Sequence, residues 1–473
     1  MHKLFIQNYY IFNSFFKRRI RNICTMRKIN KNLTEGRTGL HLVTLTWPML
    51  LGLMGMVIFS LVDTYFIGKL GVQQLAAMGF CFPVIMFVNS LSQGVGIGTS
   101  SLISRNIVSK NREEVRMMAS RAVFLGMCVV VIFIVAGLLT IRPLFAALGA
   151  APEIMGYIND YMSVWYYGVA FVVVPVIGNN IVRATGDTFT PGMLMVMSAV
   201  INVILDPLLI FGIGPFPEMG IKGAALATVI ARGSGLIFIL FILIRRENLL
   251  VLKTGRLKEI LKTWRDVLYI GGPAGLALLI TPISIGLITR IVAAFGKEAV
   301  AAFGVASRIE MFALMMISAL GSVLIIFMGQ NISQKKFTRI FHAIKYSGIF
   351  SVGWGAFVFL LALFFAKAIA AIFSSNNEVI NITSQYLKIV GMSYGFQGLV
   401  MISMASFNGL NKPLPATFFS FFRMVGLYVP LAWLGSIYFG LTGVFRAALL
   451  ANVVAGILSF LYLLRTVRKM EKR

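Results

Sequence analysis

Histidine and cysteine are nearly missing from this 473-residue sequence, which holds three of each. Cys24, Cys81 and Cys128 have neither zinc-ligand spacing nor the density of a disulfide framework. His2, His41 and His342 fall near segment ends or in connections, so no apolar segment carries the paired imidazoles of a membrane haem protein. Acidic residues are scarce as well, 16 against 43 Lys and Arg, and only 12% of residues are charged. Soluble domains carry about 25%. With 58% hydrophobic residues, that deficit excludes an ordinary soluble protein. No nucleophile with a base, no metal cluster and no nucleotide-binding loop stands out, so the sequence is not read as an enzyme and no cofactor is implied.

What is present is apolar sequence. A crossing helix needs about 20 mostly apolar residues, and charge-poor stretches mark twelve of them, near 43–67, 77–102, 120–141, 161–183, 191–213, 221–244, 268–292, 301–329, 346–366, 386–408, 416–438 and 441–464. The net charge of +27 raises the question of nucleic-acid binding. Most basic residues, however, lie in the tails and in alternate connections, as they do where those connections face the cytoplasm. The charge therefore specifies orientation, with both termini cytoplasmic, a lipid bilayer as the surroundings and no nucleic-acid partner.

The longest charged interruption, 245–266, falls near the chain midpoint and reads as a cytoplasmic linker between two lobes, 39–244 and 267–465, flanked by basic tails at 1–38 and 466–473. Sliding the chain by 225 residues lays Pro48 on Pro273, Gly71 on Gly296, Gly79 on Gly304, Gly96 on Gly321, Asn106 on Asn331 and Tyr161 on Tyr386. Six helices between repeats keep the repeats parallel and relate them by an axis along the membrane normal. The expected fold is all-α: a polytopic membrane protein of twelve transmembrane helices in two pseudo-symmetric six-helix lobes, with a cavity between them. The first 25 residues contain an apolar run too short to span, with its basic cluster behind it rather than ahead as in a signal peptide. They read as a cytoplasmic extension or an upstream start, with Met26 as the functional beginning instead of Met1; an interfacial helix is the alternative.

Charged groups inside a span cost about 2.5 to 3.5 kcal/mol and mark pathways or internal pairs. In the first half two carboxylates lie well inside spans, Asp63 and Asp206. Asn202 precedes Asp206 by four residues and shares its helix face, and Thr228 adds a hydroxyl from the next span. Carboxylate, amide and hydroxyl oxygens suit a proton or a hard cation such as sodium. The structural alternatives are that Asp206 caps or kinks its helix with Pro207 and that Asp63 is solvated at the outer boundary. Offset 225 places Ile288 opposite Asp63 and Leu431 opposite Asp206, which confines this site to the first half. Arg290 and Glu310 are expected to form a structural ion pair near the outer ends of spans seven and eight. Arg423 and Arg446 have no evident carboxylate partner; either lines the cavity or reaches along its stem toward water. Pro48 shares its helix with Asp63 and is the expected bending point.

The motifs resemble the multidrug and toxic compound extrusion (MATE) family. They are LTEG at Leu33–Gly36, WP at Trp47–Pro48, VDTYFIGKLG at Val62–Gly71, RATGDTFTP at Arg183–Pro191, NVILDPLLIFG at Asn202–Gly212, GAALAT ending at Thr228 and AVAAFGVASRIE ending at Glu310. The similarity covers about residues 33–465. It implies a multidrug efflux antiporter in a bacterial plasma (inner) membrane, exchanging lipophilic, often cationic compounds for protons or sodium by alternating access. The sequence does not specify an oligomeric state, and a monomer is the expectation. Asp63, Asn202, Asp206 and Thr228 match the first-lobe cation-site pattern of the DinF-like branch. The NorM-like branch also has acidic residues on helices seven and ten, which carry none in mid-span here. A flippase for a lipid-linked saccharide or cell-wall precursor is the competing reading, disfavoured by the twelve spans and the acidic first-half site. A passive channel or scaffold would leave the two carboxylates without a role.

Overall fold

The computed structural model describes residues 32–251 and 255–472, all of whose regular elements are helical. Most of the N-terminal tail, with Met1 and Met26, lies outside these residues. The first lobe contains α1 (Thr38–Leu70), α2 (Val72–Asn106), α3 (Arg112–Ala147), α4 (Pro152–Tyr167), α5 (Ala170–Ala184), α6 (Phe189–Phe211) and α7 (Gly220–Phe241), the last ending in a π-turn, Ile242–Arg246. The second lobe contains α8 (Leu257–Ala293), α9 (Lys297–Ser333), α10 (Phe337–Ala371), α11 (Asn377–Gly391), α12 (Tyr394–Gly409) and α13 (Pro413–Phe421), then a π-turn, Phe422–Tyr428, and α14 (Val429–Glu471).

Nine of these stretches are long and apolar enough to cross a membrane singly. Two more crossings are bent pairs, α4 with α5 at 45° and α11 with α12 at 58°. The two bends fall at matching positions of the repeat, and at the first of them Gly168 leaves room for Val229 of α7. The 59-residue stretch Pro413–Glu471 would be about 90 Å long if straight, far more than the roughly 30 Å hydrocarbon core. It folds back at Gly440, whose φ of 62° is open to glycine, and the backbones of Gly435 and Gly443 meet across the reversal. That stretch is two crossings, and the total is twelve.

Helices run several residues past the apolar spans at most ends, because a helix continues into polar sequence that nothing breaks. Asn111, for example, accepts from the Glu113 amide and starts α3 with Glu113 and Glu114 in its first turn, where acids favour the helix dipole. α8 likewise begins at Leu257, inside the segment 245–266 that the sequence reads as linker, with Glu259 in its first turn.

There are two apolar cores, the one centred on the second lobe also taking in Leu33, Leu42, Leu45 and Met49 of the strap and α1, and the lobes meet along α2 and α8 and along α1 and α9. Gly94 and Gly98 lie against the backbone of Val267, Gly271 and Gly275 so closely that a Cβ on either would collide with main chain. Small residues of this kind are what let helix backbones approach in lipid. Gly98→Val should therefore cost several kcal/mol by overpacking, and its monodisperse yield in size-exclusion chromatography should fall severalfold, whereas Gly272→Ala, in open space, should match the parent.

The lobes are also tied at the end that carries the basic connections. Gln330 accepts from the Leu33 amide (3.0 Å) and donates to the Ala184 carbonyl (3.2 Å). Ser101 donates to the Asn408 carbonyl at 2.7 Å. Arg339 donates to the carbonyls of Leu33, Glu35 and Gly36, and Lys336 to that of Thr34. The LTEG motif is thus a strap that enters α1 from the first lobe and is held by α9 and α10 of the second. This face of the molecule is closed.

Candidate coupling site

Asp63 comes from α1, Asn202 and Asp206 from α6 and Thr228 from α7; α6 packs against both other helices. All four side chains are buried, with Asn202 and Asp206 at 0% exposure and Asp63 and Thr228 at 4%. The solvated-boundary alternative for Asp63 therefore does not hold. Asn202 Nδ2 donates to Asp206 Oδ1 at 2.9 Å, the i to i+4 pairing that the spacing implies. Asp63 and Asp206 are within electrostatic range of each other. Thr228 forms no hydrogen bond with either carboxylate among the described residues.

One oxygen on each of the four residues is buried without a hydrogen-bond partner: Asp63 Oδ1, Asn202 Oδ1, Asp206 Oδ2 and Thr228 Oγ1. Buried side-chain oxygens are satisfied in the large majority of cases, and carboxylate, amide and hydroxyl oxygens such as these are donors that suit a proton or a small hard cation. No nitrogen or sulfur ligand contributes, and among the described residues no group of three or more His, Cys, Asp and Glu could hold a metal. An all-oxygen donor set of this kind favours hard cations over the metals that prefer thiolate or imidazole.

Two members were not recognised from sequence. Tyr161 of α4 is 2% exposed and within electrostatic range of Asp63, Asp206 and Arg232. Its signal was the repeat, which lays it on Tyr386. Arg232 of α7 lies one turn beyond Thr228, its guanidinium 5.3 Å from the centre of the Phe59 ring and within electrostatic range of Asp63. The i to i+4 spacing from Thr228 was the available clue. Pro48 lies inside α1, which continues through it as one helix. On that helix Gly52 and Gly55 fit against Gly192 and Val196 of α6.

The expected Arg290–Glu310 ion pair does not form. Arg290 lies three residues from the end of α8 and is exposed, whereas Glu310 lies thirteen residues into the antiparallel α9. At 1.5 Å per residue the two differ in depth by about 15 Å. Glu310 instead accepts from Tyr386 OH at 2.7 Å and from Gln397 Nε2 at 2.9 Å. Gln397 and Ser393 accept from Asn452, and Asn452 accepts from Arg423 at 3.0 Å. A carboxylate and a guanidinium are thereby joined through amides inside the second lobe, and ionisable groups in the interior are not restricted to the first half. Arg423 belongs to this network and sits on the π-turn. Arg446 is exposed, 5.6 Å from the centre of the Phe439 ring.

Asp187, in the RATGDTFTP motif, caps α6 by accepting from the Thr190 amide at 3.0 Å and forms an ion pair with Arg246 at the end of the α7 π-turn. It fastens the closed face of the first lobe and takes no part in the buried group.

Twelve crossing helices in two repeated lobes, with ionisable side chains sunk in the interior, are the architecture of a membrane transporter. The MatE family profile matches residues 48–208 and again 273–434, so the second match starts at the offset that the sequence repeat has. The chain belongs to the MatE, or MATE, family of transporters. It is 35% identical over 430 residues to a protein of Shewanella oneidensis named FAD transporter, covering 91% of this chain and 95% of that one. It is 25% identical over 441 residues to the multidrug export protein MepA of Staphylococcus saprophyticus, covering 90% and 94%. The Vibrio cholerae MATE transporter VcmN, solved in a bent form, superposes with a TM-score of 0.85 at 32% identity, covering 92% of this chain and 98% of that one.

Proposed function

We propose that this protein is a secondary active exporter that moves amphiphilic organic compounds out of a bacterial cell in exchange for protons or sodium ions. The basic face is then cytoplasmic and the surrounding bilayer is the plasma (inner) membrane. The observation that carries the reading is the group of four orphaned oxygens on Asp63, Asn202, Asp206 and Thr228. Two carboxylates that sense one another in a low-dielectric interior resist double ionisation. Entry of one cation, or one proton, removes that repulsion and gives the orphan oxygens a partner. Asp63 is the member on α1, so neutralisation changes what α1 gains by packing against α6. Exchange requires that this gain differ between the two access states.

The relatives support export in general and disagree on cargo, since one is named for FAD and others for multidrug export. The purified protein in liposomes, with proton and sodium gradients imposed separately, tests the coupling. One of the two gradients should raise the initial export rate of a fluorescent cargo severalfold, and dissipating it should remove the gain. Equal rates with and without either gradient, for cargo that does move, would make the protein a passive pathway.

A further inference from the structure

Resting on that export reading, we infer that the first-lobe cavity beside the coupling group, about 70 Å³ in volume, is an anion site that takes the phosphate or similarly charged group of an aromatic compound. The cavity is lined by side chains of α1, α2, α5, α6 and α7, among them Phe59, Gln93, Phe171, Asn179, Arg183 and Arg232, and no Asp or Glu lines it. Arg183 is 7% exposed, and its Nε donates to the Asn179 carbonyl at 3.3 Å. Arg232 stacks on Phe59 and closes no ion pair with Asp63. Asn179 Oδ1 is buried without a partner.

Two guanidiniums inside a membrane protein are costly unless something offsets them, and a cationic cargo would make the cost larger. Phosphate is the group that a guanidinium fork binds through paired charge-assisted bonds. Gln93 and Asn179 add amide groups for the polar edge of the cargo, and Phe59 and Phe171 give it flat apolar faces.

The position of Phe59 connects this site to the coupling group. It precedes Asp63 by four residues, so the two share a face of α1. Direct charge competition would have the wrong sign for an anion, because neutralising Asp63 leaves Arg232 less opposed and the anion better held. Release must therefore come from displacement of α1, which carries Phe59 and Met56 out of the cavity wall. Export of an anion and entry of a proton also move charge in the same electrical direction, so an inside-negative potential assists both.

The test is calorimetric titration of the purified full-length protein in detergent with two matched pairs of probes. One pair is flavin mononucleotide and riboflavin, which differ by a soluble phosphate ester; the other is dioctanoyl phosphatidate and dioctanoylglycerol, which differ by a lipid phosphate. We expect the phosphate member of one pair to bind about tenfold or more tightly than its neutral partner. Preference in the flavin pair assigns a soluble cargo, and preference in the lipid pair assigns a headgroup. Arg232→Gln should reduce the preference to near unity and Arg232→Lys should retain part of it. Arg183→Gln should act likewise if it folds, with Arg183→Lys as the variant that keeps the charge. Asp63→Asn should keep the preference even though it slows gradient-driven export, which separates this site from the coupling reading. No preference in either pair, or one that survives Arg232→Gln unchanged, overturns the anion site.

Discussion

Asp63→Asn should give a folded, membrane-inserted protein whose gradient-driven export is at least tenfold slower than that of the parent. The substitution keeps the shape of the side chain and removes the charge, so the buried pair is left permanently in its neutral-like condition. Folding should be unharmed, because an isolated ionised carboxylate is itself costly in a low-dielectric interior. What is lost is the difference between two states of titration. A cation that no longer interacts differently with the two access states cannot shift their ratio, however tightly it binds elsewhere. The check is a pair of measurements on one preparation: thermal stability in detergent, expected to match or exceed the parent, and counterflow in liposomes driven by the active ion. Equilibrium exchange of cargo with no gradient should survive, since it needs only the cavity and the two faces. Undiminished gradient-driven export would remove Asp63 from the coupling step.

Asp206→Asn should be milder in coupling and harsher in stability. Asp206 already accepts from Asn202, so an amide at 206 must turn its oxygen toward Asn202 and its nitrogen toward groups that now face the orphan carboxylate oxygen. A drop of about 1 kcal/mol in stability, within the range for a disturbed buried hydrogen bond, should accompany partial loss of exchange. Thermal melting and the liposome assay read the two effects separately.

The features legible in the sequence were those written in residue type at a regular spacing. Twelve apolar stretches gave twelve crossings because lipid admits few alternatives for a chain whose backbone must satisfy itself. The repeat was legible because Pro, Gly and Asn matched at one offset, and the family profile repeats at that same offset. Asn202 and Asp206 were legible because four residues make one helix turn. The features that were missed depend on depth and on neighbours brought from far along the chain. Glu310 reads as an outer-end residue only if α9 starts near 301; α9 starts at Lys297, and the partners of Glu310 come from Tyr386 and Gln397, about 80 residues away. Arg232 is ordinary in sequence and becomes informative only when Phe59 and Asp63 are placed beside it. The Gly94–Gly271 seam was hidden for the same reason, because glycines in lipid-spanning helices are common and only the partner backbone gives them meaning.

Arg339→Ala should open the closed face. The strap at Leu33–Gly36 leads straight into α1, so whatever releases the strap also frees the helix that carries Asp63. Arg339 holds it with bonds to the carbonyls of Leu33 (2.9 Å), Glu35 (3.0 Å) and Gly36 (2.5 Å), and it is itself oriented by Asn331 Oδ1 at 3.1 Å. Hydrogen bonds to a charged group are worth about 1.5 to 3 kcal/mol, and water replaces part of that here because the site is partly exposed. A net loss of about 2 kcal/mol shifts the ratio of closed to open roughly thirtyfold. Spin labels at Lys110 and Lys412, exposed on the first and second lobes at this face, in a background without Cys24, Cys81 and Cys128, should report a new long-distance population in Arg339→Ala. Arg339→Lys should fall between that variant and the parent, because an ammonium replaces the charge but not the planar fork that spans three carbonyls. Because Gln330 and Ser101 still tie the lobes through Ala184 and Asn408, the closed population should not vanish in Arg339→Ala alone. Adding Gln330→Ala should move most of the remainder, and an unchanged distance distribution in the double variant would show that the strap does not control access at this face.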